Sequence, residues 1–175
     1  MLLYFSPGAC SFAPHILLHE LGMKADTEKV DLGTHKTAGG KDFYQINPKG
    51  QVPTLQLGDG QILTEVAVIL QYLADQKPEA KLIPKAGTME RCRAQEWLND
   101  IATEIHKGMG GLFNKAMPEE GKQIFRDRLK KKFDILDQHL GKNAFLLGKD
   151  FSAPDAYLFT TMNWHKWVKF DMTPW

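Results

Sequence analysis

The hydrophobic pattern of this chain changes period once, and that change divides it into two folding units of different class. Up to about residue 77, short apolar runs of strand length alternate with stretches of helical period. Beyond about residue 88 only the helical period remains. The stretch between carries Pro78, Pro84 and Gly87, which marks 78–87 as a linker. The chain has 175 residues, 43% of them hydrophobic, enough apolar material for two small cores. An α/β unit over 1–77 followed by an all-α unit over 88–175 is the expected organisation.

In the first unit, Leu2-Leu3-Tyr4-Phe5 is a continuous apolar run stopped by Ser6-Pro7-Gly8, as in a buried central strand. A helix is predicted from about Phe12 to Leu21, with Pro14 in its first turn and Gly22 just past its end. Thr27 to Asp31 reads as a second strand. Val52 to Leu57 and Gln61 to Leu63, joined by Gly58-Asp59-Gly60, read as a hairpin. Thr64 is expected to cap a helix whose apolar face is Val66, Ile69, Leu70 and Leu73. In the second unit, Thr88 is expected to open a helix with Ala94, Trp97, Leu98, Ile101 and Ile105 on one face. Pro118 precedes another that points Phe125, Leu129, Phe133, Leu136 and Leu140 inward. Ser152-Ala153-Pro154-Asp155 has the form of a capping box, Asp155 standing for the usual Glu, with Phe151 and Ala156 spaced for a hydrophobic staple. One nearly all-apolar helix is predicted from there through Trp164 and Trp167.

Cys10 lies between a strand and a helix, where open N–H groups and the helix dipole favour a thiolate. The plainer alternative is a buried, inert thiol. Ala13 stands where a dithiol motif would place its second cysteine, so any redox chemistry here is monothiol. Ser11 is placed either to hydrogen-bond a ligand thiolate or to cap the helix. Val52-Pro53 puts a proline at the entry of a central strand, which calls for a turn or a cis bond, unless it is an ordinary trans proline at a strand edge. Glu65, at the start of a helix whose first amides suit a carboxylate, faces either a ligand ammonium or merely the dipole. Asn99, Thr103 and His106 follow i, i+4, i+7 and form a polar stripe, by default a solvated one.

Other features carry less. His15 and His19 have metal-ligand spacing but no evident third ligand, so no metal is expected. The basic run from Arg126 to Lys132 reads as the wet face of a helix, and Cys92 has no evident activator. The Trp-rich end reads as core. A net charge of +1 gives no general affinity for nucleic acid or acidic membranes. No apolar run approaches the ~18 residues of a membrane span. The opening MLLYFSPGAC lacks a basic leader region, and two cysteines suit a reducing compartment, so a cytoplasmic location is expected.

Several stretches together resemble the glutathione transferases, in particular the bacterial beta class. They are Tyr4 to Ser11, Asn47 to Pro53, Leu63-Thr64-Glu65, Glu96 to Asn99, Glu104 to Lys107, and Gly148 through Asp155 to Tyr157. The resemblance implies an α/β thioredoxin-like N-terminal domain plus an all-α C-terminal helical domain, a homodimer, glutathione as co-substrate, and a detoxification role. It places Ala9 and Cys10 at the glutathione sulfur, with a mixed disulfide open to Cys10. The Val52 backbone would pair with the cysteinyl portion beside a cis Pro53, and Glu65 and the Val66 amide would hold the γ-glutamyl end. His35 or Lys36 would meet the glycine carboxylate. Asn99, Thr103, Glu104, Ile105, His106 and Lys107 would border the cleft, with Cys10, Ser11 and His106 catalytic. The sequence departs from the pattern at His35, where lysine is frequent, at Val66, where a serine is usual, and at Pro154. It also ends at Trp175, short of a last helix the resemblance implies. The expected function is transfer of glutathione to hydrophobic electrophiles, with thiol–disulfide activity through Cys10 in reserve. A non-catalytic binder of glutathione or hydrophobic ligands is the alternative.

Overall fold

The computed structural model describes residues 1–175 and divides into two compact units, Met1–Lys81 and Leu82–Trp175. The first runs β1 (Leu2–Phe5), α1 (Phe12–Glu20), β2 (Asp26–Asp31), β3 (Lys36–Thr37), a short 3-10 turn (Phe43–Gln45), β4 (Thr54–Gln56), β5 (Ile62–Thr64) and α2 (Val66–Asp75). The sheet order is β3-β2-β1-β4-β5, so the apolar run at the N-terminus is the central strand, as its composition requires. β1 pairs parallel with β2 and antiparallel with β4, in a register that sets Leu3 opposite Leu55 and Tyr4 opposite Thr54. Period two sends Leu3 and Tyr4 to opposite faces. Tyr4 joins Val30, Phe43 and Val52 in one buried cluster, with Ala9 packed on its edge. The predicted inner face of α2, Val66, Ile69, Leu70 and Leu73, is buried throughout.

Two elements of this unit were not expected from sequence. β3 is only two residues long, and the 3-10 turn at Phe43–Gln45 is capped by Asp42 through the Tyr44 amide. Both occupy what reads as a plain connection, because two- and three-residue elements are too short to show a period.

The second unit contains α3 (Met89–Asp100), a π-helical stretch (Ile101–His106), α4 (Lys107–Leu112), α5 (Glu119–Leu140), α6 (Ala153–Met162) and α7 (His165–Val168). Thr88 caps α3 by accepting from the Arg91 amide, as expected. On α5, Leu129, Phe133 and Leu136 are buried. Both halves of the Ser152–Asp155 capping box are formed, and Asp155 also accepts from the Leu146 amide at 2.8 Å. Phe151 sets its ring edge-on to Phe145. The single long C-terminal helix of the sequence reading is instead broken after Met162. Asn163 turns its side chain back onto the Phe159 carbonyl, a local bond that competes with continuing the helix. Trp164 is buried as expected, but Trp167 is exposed, so the Trp-rich end is only partly core. Residues 78–87 are shared between the units: Pro78–Ala80 form a 3-10 turn in the first, while Leu82 and Pro84 accept hydrogen bonds from Ala153 and Arg91 in the second. No helix is long and apolar enough to cross a membrane.

Candidate active site

The loop after β1 delivers Cys10 to the start of α1. Tight turns from Ala9 to Phe12 and from Cys10 to Ala13 fix its backbone. Its side chain is 9% exposed, and Sγ donates to the Val52 carbonyl at 3.1 Å. The thiol is thus buried and tied by a hydrogen bond to a residue 42 positions away. Ser11 occupies the N-cap position but makes no capping bond. Its hydroxyl instead accepts from the Ser6 amide at 3.1 Å and donates to the Ser6 carbonyl at 3.2 Å. With 1% exposure, Ser11 is a brace for the loop, which corrects the expectation that its hydroxyl caps the helix.

Val52-Pro53 is a cis peptide, and Pro53 precedes β4 without occupying the ladder. The turn before it is held by Asn47, 2% exposed, whose amide nitrogen donates to the Gln51 carbonyl and to Thr54 Oγ1, each at 2.9 Å. Gly50 is required in this turn. Its φ is +63°, and a Cβ there would lie 2.5 Å from the Tyr44 ring. The Val52 carbonyl accepts only the Cys10 thiol, and the Val52 amide makes no hydrogen bond within the chain. Sequence reasoning noticed Asn47 only as part of a resemblance. Asn-Pro followed by a glycine was the available signal for a side-chain-braced turn.

His35 has φ +52° and packs its ring against Tyr44 at a tilt of 31°, with ring centroids 4.5 Å apart. Its Nδ1 is buried and has no hydrogen-bond partner. Lys36, the neighbouring candidate, is exposed on β3.

At the other end of the unit, Thr64 does not cap α2. It is the last residue of β5, paired with Thr54. Glu65 takes the N-cap position at φ +73°, and its side chain makes no capping bond. Its Oε1 lies 2.8 Å from Lys49 Nζ, which also donates to Thr64 Oγ1 at 3.1 Å. Glu65 therefore meets an ammonium, though one supplied by the chain. The amides of Val66 and Ala67 find no acceptor in the chain and open onto the helix end, where negative charge is favoured. The Val66 side chain itself is buried.

The remaining candidates lie in the helical unit. Asn99 is exposed on α3, and its carbonyl accepts from Thr103 Oγ1 at 3.0 Å. Glu104 and Lys107 are exposed; Glu104 lies 3.9 Å from Lys132, which also pairs with Asp100 at 2.5 Å. Ile105 is fully buried, so its side chain belongs to the core of that unit. His106 departs from the predicted polar stripe. The π-helical stretch packs more residues into each turn and so rotates the positions at its C-terminal end about the helix axis. His106 Nδ1 then sits 2.6 Å from the Tyr157 hydroxyl, and its ring meets Trp164 edge-on at 4.9 Å. Tyr157, 2% exposed, was not singled out from sequence; on a mostly apolar helix nothing marks one aromatic as a hydrogen-bond partner.

Tyr4 and His15 are among the perturbed titrating groups of the first unit. Burial, reinforced by Glu28, pushes the Tyr4 hydroxyl up, so Tyr4 stays protonated at neutral pH. Burial, and then the neighbouring His19, push His15 down. Elsewhere, Cys92 is exposed on α3, and no group of three metal-binding side chains is present.

Comparison with known proteins accounts for this assembly. Residues 8–76 match the glutathione S-transferase N-terminal domain, and residues 90–164 match the C-terminal domain of the same family. The chain belongs to the glutathione S-transferase family. It is 43% identical to the glutathione S-transferase GstA of Escherichia coli O157:H7 over 172 residues, 98% of this chain and 86% of that protein. It is 43% identical to a bacterial beta class glutathione S-transferase of Sphingomonas chungbukensis, with a TM-score of 0.95 over 99% of this chain and 87% of the other. A sphingomonad glutathione S-transferase solved in complex with glutathione is 40% identical, also with a TM-score of 0.95, covering 99% of this chain and 87% of that one. The thioredoxin-like first unit and helical second unit are those of the transferase architecture, and the chain is a transferase by family and fold.

Proposed function

We propose that this transferase binds glutathione along the edge formed by Cys10, Val52 and Glu65 and activates its thiol for attack on hydrophobic electrophiles. The observation that carries this reading is the Cys10 thiol held 3.1 Å from the Val52 carbonyl, beside a Val52 amide that has no partner. An extended peptide laid here would donate its cysteinyl amide to Val52 O, which keeps a second lone pair, and accept from Val52 N. Its sulfur would then lie by Cys10 and Ala9. Its α-ammonium would go to Glu65 and its α-carboxylate to the open amides of Val66 and Ala67. His35 and Lys36 would serve the glycine carboxylate, and the buried Nδ1 of His35 has no hydrogen-bond partner within the chain. From the helical unit, the family resemblance assigns His106, with Asn99, Thr103, Glu104, Ile105 and Lys107, to the same ligand. The contribution of Ile105 would come from its backbone, since its side chain is core.

In conjugation the glutathione thiol loses its proton, and the thiolate sulfur bonds to an electrophilic carbon as the leaving group departs with its electron pair. In the second activity the Cys10 thiolate attacks a glutathione disulfide, forming a mixed disulfide and expelling a thiolate. A cytoplasmic homodimer with a detoxification role completes the proposal.

Immobilised glutathione should retain the wild type, and Glu65→Gln should abolish retention. Cys10→Ala should keep part of the conjugating activity and lose all mixed-disulfide formation. Retention without turnover of any electrophile would make the protein a binder, and no retention would sink the proposal altogether.

A further inference from the structure

We propose that Lys49 is a specificity residue that reads the α-amino-acid end of the ligand by exchanging partners. This rests on the glutathione reading and adds a residue that reading does not contain. The carboxylate assigned to the ligand's ammonium already holds one: Lys49 Nζ lies 2.8 Å from Glu65 Oε1 and 3.1 Å from Thr64 Oγ1. Lys49 is delivered there by the turn that Asn47 braces, its own amide donating to Asn47 Oδ1 at 3.0 Å. The same turn leads into Val52, so the cation and the peptide-binding edge are fixed by one piece of backbone.

Both partners are more than half exposed, 53% and 59% for the side chains, so the pair is weak and easily broken. A ligand whose α-ammonium takes Glu65 displaces Lys49. The released cation is then next to the anion on the same ligand carbon, the α-carboxylate drawn to the amides of Val66 and Ala67. One ion pair is lost and two form, with no charge left alone. A ligand with the amine but no α-carboxylate strands Lys49 instead, and a ligand with the carboxylate alone leaves Lys49 on Glu65. Lys49 therefore selects ligands that carry both charges on one carbon, the zwitterionic end of a γ-linked amino acid.

Titration calorimetry at low salt tests this with glutathione and γ-aminobutyryl-cysteinylglycine, which keeps the amine and lacks the α-carboxylate. The wild type should prefer glutathione. In Lys49→Met that preference should shrink by about three- to fivefold, the scale of an exposed ion pair, while Lys49→Arg should keep it. Lys49→Gln repeats the measurement with a second neutral side chain, and melting curves confirm that each variant is folded. An equal preference in wild type and both neutral variants overturns the proposal while leaving glutathione binding intact. Failure of the wild type to bind glutathione removes both readings together.

Discussion

Asp155 offers the sharpest test of what holds the helical unit together. It is 8% exposed and accepts three hydrogen bonds: Oδ1 takes the Leu146 amide at 2.8 Å, and Oδ2 takes the Ser152 amide at 2.9 Å together with the Ser152 hydroxyl. Replacing it with alanine leaves two buried amides without acceptors, each costing about 1–3 kcal/mol. It also takes the acceptor from the Ser152 hydroxyl, while the Ser152 side chain can still cap α6. Water entering the truncated site recovers part of this, so Asp155→Ala should cost about 3–4 kcal/mol, a large share of the ~5–15 kcal/mol by which a domain is stable. Asp155→Asn keeps one acceptor for Leu146 but turns an amino group toward the Ser152 donors, for a loss of about 1–3 kcal/mol. Ser152→Ala, which deletes only the hydroxyl, should cost about 1 kcal/mol. Urea unfolding followed by tryptophan fluorescence measures the order Ala, Asn, then Ser152→Ala. Amide hydrogen exchange at Leu146 locates the effect, because that proton should lose protection in Asp155→Ala first. A loss below about 1 kcal/mol for Asp155→Ala, or unchanged exchange at Leu146, refutes the assignment of this carboxylate as the anchor of the segment.

Packing and titration each supply a further expected outcome. In α4, a Cβ at Gly108 would lie 2.8 Å from Cδ2 of Leu129, which is 1% exposed, whereas a Cβ at Gly110 meets nothing within 4 Å. Overpacking of about 1–3 kcal/mol outweighs a helix-propensity gain of about 1 kcal/mol at the first position but is absent at the second. Gly108→Ala should therefore lower the melting temperature and Gly110→Ala should raise it. For His15 the folded pKa is depressed below its ordinary 6.5 by burial and by His19, so the unfolded chain binds the proton more readily. Its contribution is present above pH 6.5 and is lost as pH falls toward the depressed folded value. Stability measured from pH 7 down to about pH 5 should thus decline less steeply in His15→Gln than in the wild type. Parallel declines would show that burial of His15 is without consequence.

Much of the fold was legible because the signals are local. The inner face of α2 repeats every turn, the Thr88 cap bonds an amide three residues on, and the Ser152–Asp155 box closes within one turn. Such patterns are complete within a few residues, so the sequence states them outright. Where local signals compete, sequence reading failed. Thr64 had the form of a cap, and only the register of β5 against β4 decided that it stays in the sheet and leaves the N-cap position to Glu65. The run beyond Ala153 looked like one helix until the back-bonded Asn163 side chain and the burial of Trp164 ended it.

What the sequence determined alone, then, is the two-unit order, the central strand, the helix faces and the identity of Cys10, Val52 and Glu65 as candidates. What only the tertiary structure decided is which atoms meet. Cys10 finds a carbonyl 42 residues away, Lys49 finds a carboxylate 16 away, and His106 finds a hydroxyl 51 away. Contacts at that separation depend on strand register, on a positive φ at Glu65 and on a π-helical turn before His106. The physical reason is one of range: propensity, period and capping act over a turn or two of chain. The pairing of a thiol with a distant carbonyl is set by how whole elements pack.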